Sequence, residues 1–170
     1  EENYLKQTYR NRCYILSAHG LQILTVPVYL GGLHKTPVKN IRIDYSKRWQ
    51  QVHSRAIIAS YRSSPYFEFY FEDLEKIILK NHEFLLDLNT ELTESLQTIL
   101  GMRKTISYTT IFEPVGEIEN DFRYKITPKK ESNFASKEYL RVFDSSHKLV
   151  HGMSIIDLIF NMGPEAVNYL

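Results

Sequence analysis

A chain of 170 residues is long enough to bury about 70% of its unfolded surface in one domain without covalent staples. A net charge of +1 argues against a bulk polyanion binder, and the single cysteine, Cys13, excludes an intrachain disulfide and a multi-cysteine zinc site. The same cysteine usage points to a reducing, cytoplasmic compartment, and no apolar run approaches the ~20 residues that a membrane span needs.

The chain opens, without a Met, in what reads as the middle of an element, so a preceding segment is expected. Tyr4 to Leu16 and Leu21 to Tyr29 read as a hairpin about Ala18-His19-Gly20, with Pro27 confining the second strand to an edge or an end. Alternation in the first strand sets Gln7, Tyr9, Asn11 and Cys13 on one face and Lys6, Thr8, Arg10 and Arg12 on the other. Two arginines on one face offer planar, bidentate donors to phosphate or carboxylate. A solvated edge strand that carries positive charge against aggregation is the plainer alternative. Gly31-Gly32 reads as a loop, and Val38 to Asp44 alternates like a third short strand.

The period then changes from two to 3.6. Ser46 is the expected N-cap of a helix with Trp49, Val52, Ala56, Ile57 and Tyr61 on its apolar side, where His53 also falls. Ser63-Ser64-Pro65 ends it and opens a second helix, Pro65 to about Lys80, packed through Phe67, Tyr70, Phe71, Leu74, Ile77 and Ile78. A third helix, about Glu83 to Leu100, carries a leucine-rich stripe and stops at Gly101. Residues 104–112 return to a β-branched composition and read as a strand, and residues 113–137 as a long polar loop. Tyr139 to Phe143 fits a short strand or a 3₁₀ segment. Ser154-Ile155-Ile156-Asp157 resembles a capping box that opens a helix through Met162, with Gly163-Pro164 as its stop. The predicted class is α+β, a single domain with a small antiparallel sheet packed against a helical cluster.

Charge is unevenly placed along this order. Residues 31–62 hold seven basic side chains against Asp44, whereas residues 66–94 hold eight acidic side chains against Lys76 and Lys80. The pattern fits a field that draws in an anion, and fits equally a solvated helical face.

An ordered series of uncommon residues then carries a resemblance. Lys6-Gln7-Thr8-Tyr9-Arg10-Asn11-Arg12-Cys13, Val26-Pro27-Val28, Ile43-Asp44-Tyr45-Ser46 with Trp49 and His53, and Tyr61-Arg62-Ser63-Ser64-Pro65-Tyr66-Phe67 together resemble the WbqC-like protein family. The closing run from Ser154 to Glu165 is similar to that family's ending. The resemblance implies a bacterial role in O-antigen or other surface-polysaccharide biosynthesis, on an activated sugar. It also implies a further N-terminal segment carrying a Tyr-Leu-Pro-like or Tyr-Phe-Pro-like motif, whose groups contribute to a complete site.

On that implication, a sugar nucleotide or other anionic small molecule is the expected ligand. Its pyrophosphate suits Arg10, Arg12 or the basic residues near Arg42, Asn11 lies between the arginines, and Tyr9, Tyr45 or Trp49 offers a face to stack on. His53 is the candidate acid–base residue, with Asp44 close enough in sequence to orient it. A core histidine with one hydrogen bond is the competing reading of His53. Cys13 reads either as a nucleophile for acyl transfer or as a small buried hydrophobe. His147 and His151 are four apart, but Gly152 and the preceding Asp-Ser-Ser argue for a turn there, and no metal or cofactor is expected. The chain carries no glycine-rich phosphate loop, no G-x-S-x-G and no H-E-x-x-H. The expected function is therefore a transferase-type enzyme of polysaccharide assembly. The alternative is a non-catalytic module that binds an activated sugar or docks on a protein partner of that assembly. Nucleic acid is disfavoured, because the helix bearing Lys47, Arg48, Arg55 and Arg62 turns Trp49, Ile57 and Tyr61 to the core and leaves little basic surface.

Overall fold

The computed structural model, which describes residues 2–29, 36–114, 116, 120–129, 137–143 and 152–170, is a small α+β fold. Its hairpin consists of β1 (Arg12–Ser17) and β2 (Gly20–Thr25), antiparallel, in a register that runs from Arg12 opposite Thr25 to Ser17 opposite Gly20. Gly20 enters β2 at φ 105°, a conformation that costs glycine little and that the tight turn requires. Ile15 and Leu24 project from the inner face into the core, while Leu21 and Ile23 lie on the solvent side.

The opening strand is shorter than alternation predicts. Residues 6–10 turn instead of extending: Gln7 takes φ 60°, the Thr8 hydroxyl donates to the Leu5 carbonyl at 2.8 Å, and the Asn11 amide reaches back to the Thr8 carbonyl. A short polar side chain that bonds its own backbone competes with a strand ladder. The expected third strand is also corrected. Val38–Asn40 is a 3₁₀ turn, and Arg42 and Ile43 form only isolated bridges, to Phe84 and Val28. Pro27 has no N–H to give, so this edge is joined by single bonds such as Asp44 N to the Pro27 carbonyl at 2.9 Å.

Three helices follow at the predicted places with shifted ends: α1 (Trp49–Tyr61), α2 (Phe67–Leu79) and α3 (Leu85–Ile99). Ser46 is not the cap of α1, which begins after Arg48; the Ser46 amide donates to Asp44 Oδ1 at 2.8 Å and closes a turn. Ser64 and Pro65 likewise precede α2 in a turn, with the Phe67 amide bonded to the Ser64 carbonyl. α1 buries Trp49, His53, Ile57 and Tyr61, whereas Val52, expected inside, is 59% exposed. α2 and α3 pack together: Ile77 and Ile78 of α2 lie against the cluster of Leu85 and Leu88, and Leu92, Leu96 and Ile99 of α3 lie against the cluster of Phe67, Phe71 and Leu74.

Residues 104–112 form no strand: among the described residues none pairs with them to complete a ladder. They run as irregular chain whose Tyr108 hydroxyl donates to Thr90 Oγ1 on α3 at 2.8 Å. Tyr139–Phe143 is neither strand nor 3₁₀. The Gly31-Gly32 loop, His147 and His151, and parts of the 113–137 loop fall outside the described residues.

The last helix, α4 (Ile155–Met162), starts after Ser154 as expected, and a 3₁₀ run from Gly163 to Tyr169 follows it. Ser154 joins it to the hairpin by donating its amide to the Tyr14 carbonyl at 2.8 Å. Asp157 does not close a capping box. Its side chain, 1% exposed, accepts from the Tyr61 hydroxyl at 2.8 Å and from the Tyr139 hydroxyl, and Arg141 Nε lies 3.2 Å away. Burial outweighs these donors and holds the Asp157 carboxyl above its ordinary value. The Tyr61 hydroxyl in turn accepts the Leu16 amide at 3.1 Å, so one carboxylate links α1, α4, β1 and the 137–143 segment.

The core has two centres. One gathers Ile15, Leu24, Ile57, Phe67, Phe71 and Phe160, and the other gathers Ile41, Ile43, Trp49, Leu85 and Leu88. Ile78 and Leu92 touch both.

Candidate functional site

Where the two core centres meet, the chain forms a pocket of about 180 Å³ that opens to solvent. Its floor is apolar: Leu24, Ile57, Phe71, Leu74, Ile78, Leu88, Leu92, Leu96, Ile156 and Phe160. Its polar wall comes from the hairpin entry and from α1, namely Tyr9, Arg10, Asn11, Arg12 and Cys13 with Trp49 and His53. Asn89 and Ser154 complete it.

The turn at residues 6–10 is what assembles this wall. Strict alternation would send Arg10 away from Tyr9, yet both line the pocket, because the chain winds over residues 6–10; Asn11 and the first two residues of β1, Arg12 and Cys13, line it as well.

The two arginines differ in what they have left to offer. Arg10 is committed: its guanidinium forms an ion pair with Glu2, donating Nε to Glu2 Oε1 at 2.8 Å, and a further N–H reaches the Arg123 carbonyl at 2.8 Å. The Arg12 Nε–H is buried and has no hydrogen-bond partner among the described residues. The expected anion-binding pair is thus reduced to Arg12, with Arg10 already neutralised.

His53 is 9% exposed and lies 3.1 Å, through Nε2, from the Thr25 carbonyl. A carbonyl accepts only from an N–H, so the hydrogen sits on Nε2 and the lone pair on Nδ1, which has no partner among the described residues. Burial holds the imidazole pKa down to about 4, so the ring is neutral at physiological pH. Its edge meets the Trp49 ring at 5.1 Å between centroids.

These groups share one centre. Arg12 pairs in the sheet with Thr25, whose carbonyl holds His53, and the neighbouring Val26 carbonyl accepts Asn11 Nδ2 at 3.0 Å. Asn11 Oδ1 is buried with no partner among the described residues, and Trp49 Nε1 is in the same state. Buried polar atoms in native folds are ordinarily satisfied, because an unpaired one costs about 1–3 kcal/mol. Three such atoms, Arg12 Nε, Asn11 Oδ1 and Trp49 Nε1, belong to residues around one cavity.

Asp44 and Tyr45 are not brought to the pocket. The Asp44 carboxylate is held below its ordinary value by the Ser46 amide, the Ser46 hydroxyl and the Tyr29 hydroxyl, so the orientation of His53 falls to Thr25. Tyr45 donates its hydroxyl to the His82 carbonyl at 2.8 Å and backs the Trp49 ring at 6.0 Å between centroids. Cys13 lines the pocket, but burial pushes its thiol up to about 11, which keeps it protonated and poorly nucleophilic. The basic residues Lys47, Arg48, Arg55 and Arg62 are exposed and lie outside the pocket lining.

Sequence reasoning missed Asn89, which donates Nδ2 to the Arg10 carbonyl at 2.8 Å and so pins the wall to α3. The available signal was an amide beside the stripe Leu85, Leu88, Leu92 and Leu96.

A model of the WbqC-like protein family matches residues 1–140, so the similar run 154–165 lies beyond that match. The protein named "Uncharacterized protein Rv1507c" from Mycobacterium tuberculosis is 28% identical over 193 aligned positions, which cover 98% of this chain and 83% of that protein. No solved structure matches the chain. Among the described residues, no helix is long and apolar enough to cross a membrane. With most of its length matched by the family model, the chain belongs to the WbqC-like protein family.

Proposed function

We propose that this protein is a cytoplasmic enzyme of O-antigen-type surface-polysaccharide biosynthesis that binds an activated, anionic sugar donor and acts on it as a transferase. One observation carries the reading: Arg12, whose Nε–H has no partner among the described residues, lines the same pocket as a neutral His53 whose Nδ1 lone pair is free among those residues. Arg12 attracts the charge of the donor through a charge-assisted bond, worth about 1.5–3 kcal/mol when the partner is present. His53 Nδ1 accepts the proton of the attacking hydroxyl or amine as that group bonds to the anomeric carbon, the bond from this carbon to the diphosphate oxygen breaks, and the nucleoside diphosphate leaves with its charge against Arg12. The His53 pKa of about 4 rises when an anion settles beside it, because a nearby negative charge favours the imidazolium. Asp44 has no part in this scheme, and Asn11, Trp49 and Tyr9 line the same pocket.

Two variants separate this reading from a non-catalytic binding module. Arg12→Met is expected to weaken binding of sugar nucleotides at least tenfold in calorimetry, while His53→Gln is expected to keep affinity within a fewfold and lose turnover. Wild-type affinity in Arg12→Met removes the anion role. Unchanged turnover in His53→Gln removes the catalytic one and leaves the binding module.

A further inference from the structure

A pocket of about 180 Å³ that opens to solvent holds one part of a nucleotide sugar and leaves the rest outside its walls. An apolar cavity of about 150 Å³ takes a benzene-sized ligand, so 180 Å³ fits about six carbon atoms. Its floor of Leu24, Leu74, Ile78, Leu92 and Phe160 offers such an occupant no hydrogen bond. Three residues of the wall carry a buried polar atom with no partner among the described residues: the donors Arg12 Nε and Trp49 Nε1 and the acceptor Asn11 Oδ1. Asn11 cannot turn its amide to serve as donor instead, because its Nδ2 is held by the Val26 carbonyl.

We infer that the pocket holds a short N-acyl group, its hydrocarbon on the apolar floor, its amide carbonyl accepting from Trp49 and its amide N–H donating to Asn11 Oδ1. This rests on the anionic-donor reading above, in which Arg12 takes the charged part of the same ligand. An ester or thioester supplies the carbonyl but no N–H, and would leave Asn11 Oδ1 buried and unpaired. An unacylated amino sugar leaves the floor empty. The ligand class is therefore a nucleotide sugar whose amino group carries an acyl chain of about four to six carbons, sized to the cavity.

The sole tryptophan, Trp49, lies in the wall and reports occupancy by its own emission. The full chain is titrated with uridine diphosphate sugars bearing N-acetyl, N-butanoyl, N-hexanoyl or N-octanoyl groups, with the O-butanoyl ester, with butanoyl thioester and with uridine diphosphate alone. Affinity is expected to rise about threefold to fourfold per added methylene up to about six carbons and then to fall. The ester and the thioester are expected to bind at least tenfold more weakly than the butanoyl amide. Equal affinity along the amide series, with binding retained, overturns the acyl inference and leaves the anionic-donor reading standing. Amide and ester of equal affinity overturn the role of Asn11 and the inference with it. Binding by none of the compounds overturns both.

Discussion

Asp157→Ala is expected to lower the unfolding free energy by about 3–5 kcal/mol, the largest single effect foreseen outside the apolar core. Its side chain is 1% exposed and sits among two tyrosine hydroxyls and the Arg141 guanidinium, so truncation leaves the Tyr61 and Tyr139 hydroxyls with no carboxylate to donate to. Arg141 loses a carboxylate at 3.2 Å and keeps its stacking over Tyr139 at 4.5 Å. Tyr61→Phe removes one of these bonds and leaves the Leu16 amide unpaired, for a smaller loss of about 1–3 kcal/mol. Urea denaturation of the two variants checks the order. A loss under 1 kcal/mol in Asp157→Ala would mean that the 137–143 segment and α4 are held by apolar packing alone.

The second large effect is a loss of stability in mild acid that passes through His53. The unfolded imidazole takes up a proton near its ordinary 6.5, while the folded ring resists until about 4. Between those values the unfolded chain binds more protons, so stability falls as pH drops through that window. The stabilisation is fully present above pH 6.5 and declines toward pH 4, by on the order of 3 kcal/mol for a shift of this size. His53→Gln lacks the titrating group, and its stability should change less between pH 7 and pH 4.5 than that of the wild type. Parallel profiles for the two proteins, from urea unfolding at each pH, would place His53 in a solvated setting and contradict its burial.

The fold was legible where one face of an element had to be apolar. Leu85, Leu88, Leu92 and Leu96 recur at a spacing only a helix can bury, and α3 lies there. Where bonding depends on a distant partner, pattern alone failed. Residues 104–112 have the composition of a strand but no pairing strand among the described residues, and Val38 to Asp44 meets its neighbours through single bridges beside a proline. Local side-chain bonding was equally invisible: Thr8 and Gln7 turn the chain just where alternation reads it as extended.

The same turn decides the candidate site. Tyr9, Arg10, Asn11, Arg12, Trp49 and His53 were singled out by residue type and line one pocket, although the alternation used to sort them into faces does not hold before Asn11. Asp44 was chosen for its closeness in sequence to α1, and closeness in sequence says nothing of which way a carboxylate turns. The distinction between Arg10 and Arg12 required knowing that Glu2 reaches one of them.

The central claim is that Arg12 directs an anionic ligand into the pocket beside Trp49 and His53. The most direct measurement is Trp49 emission during titration with uridine diphosphate N-acetylamino sugar, in the wild type and in Arg12→Met at matched stability. A saturable change in the wild type, displaced at least tenfold toward higher ligand concentration in Arg12→Met, is the predicted result. A titration that leaves emission unchanged, or one that is identical in both proteins, would contradict the claim.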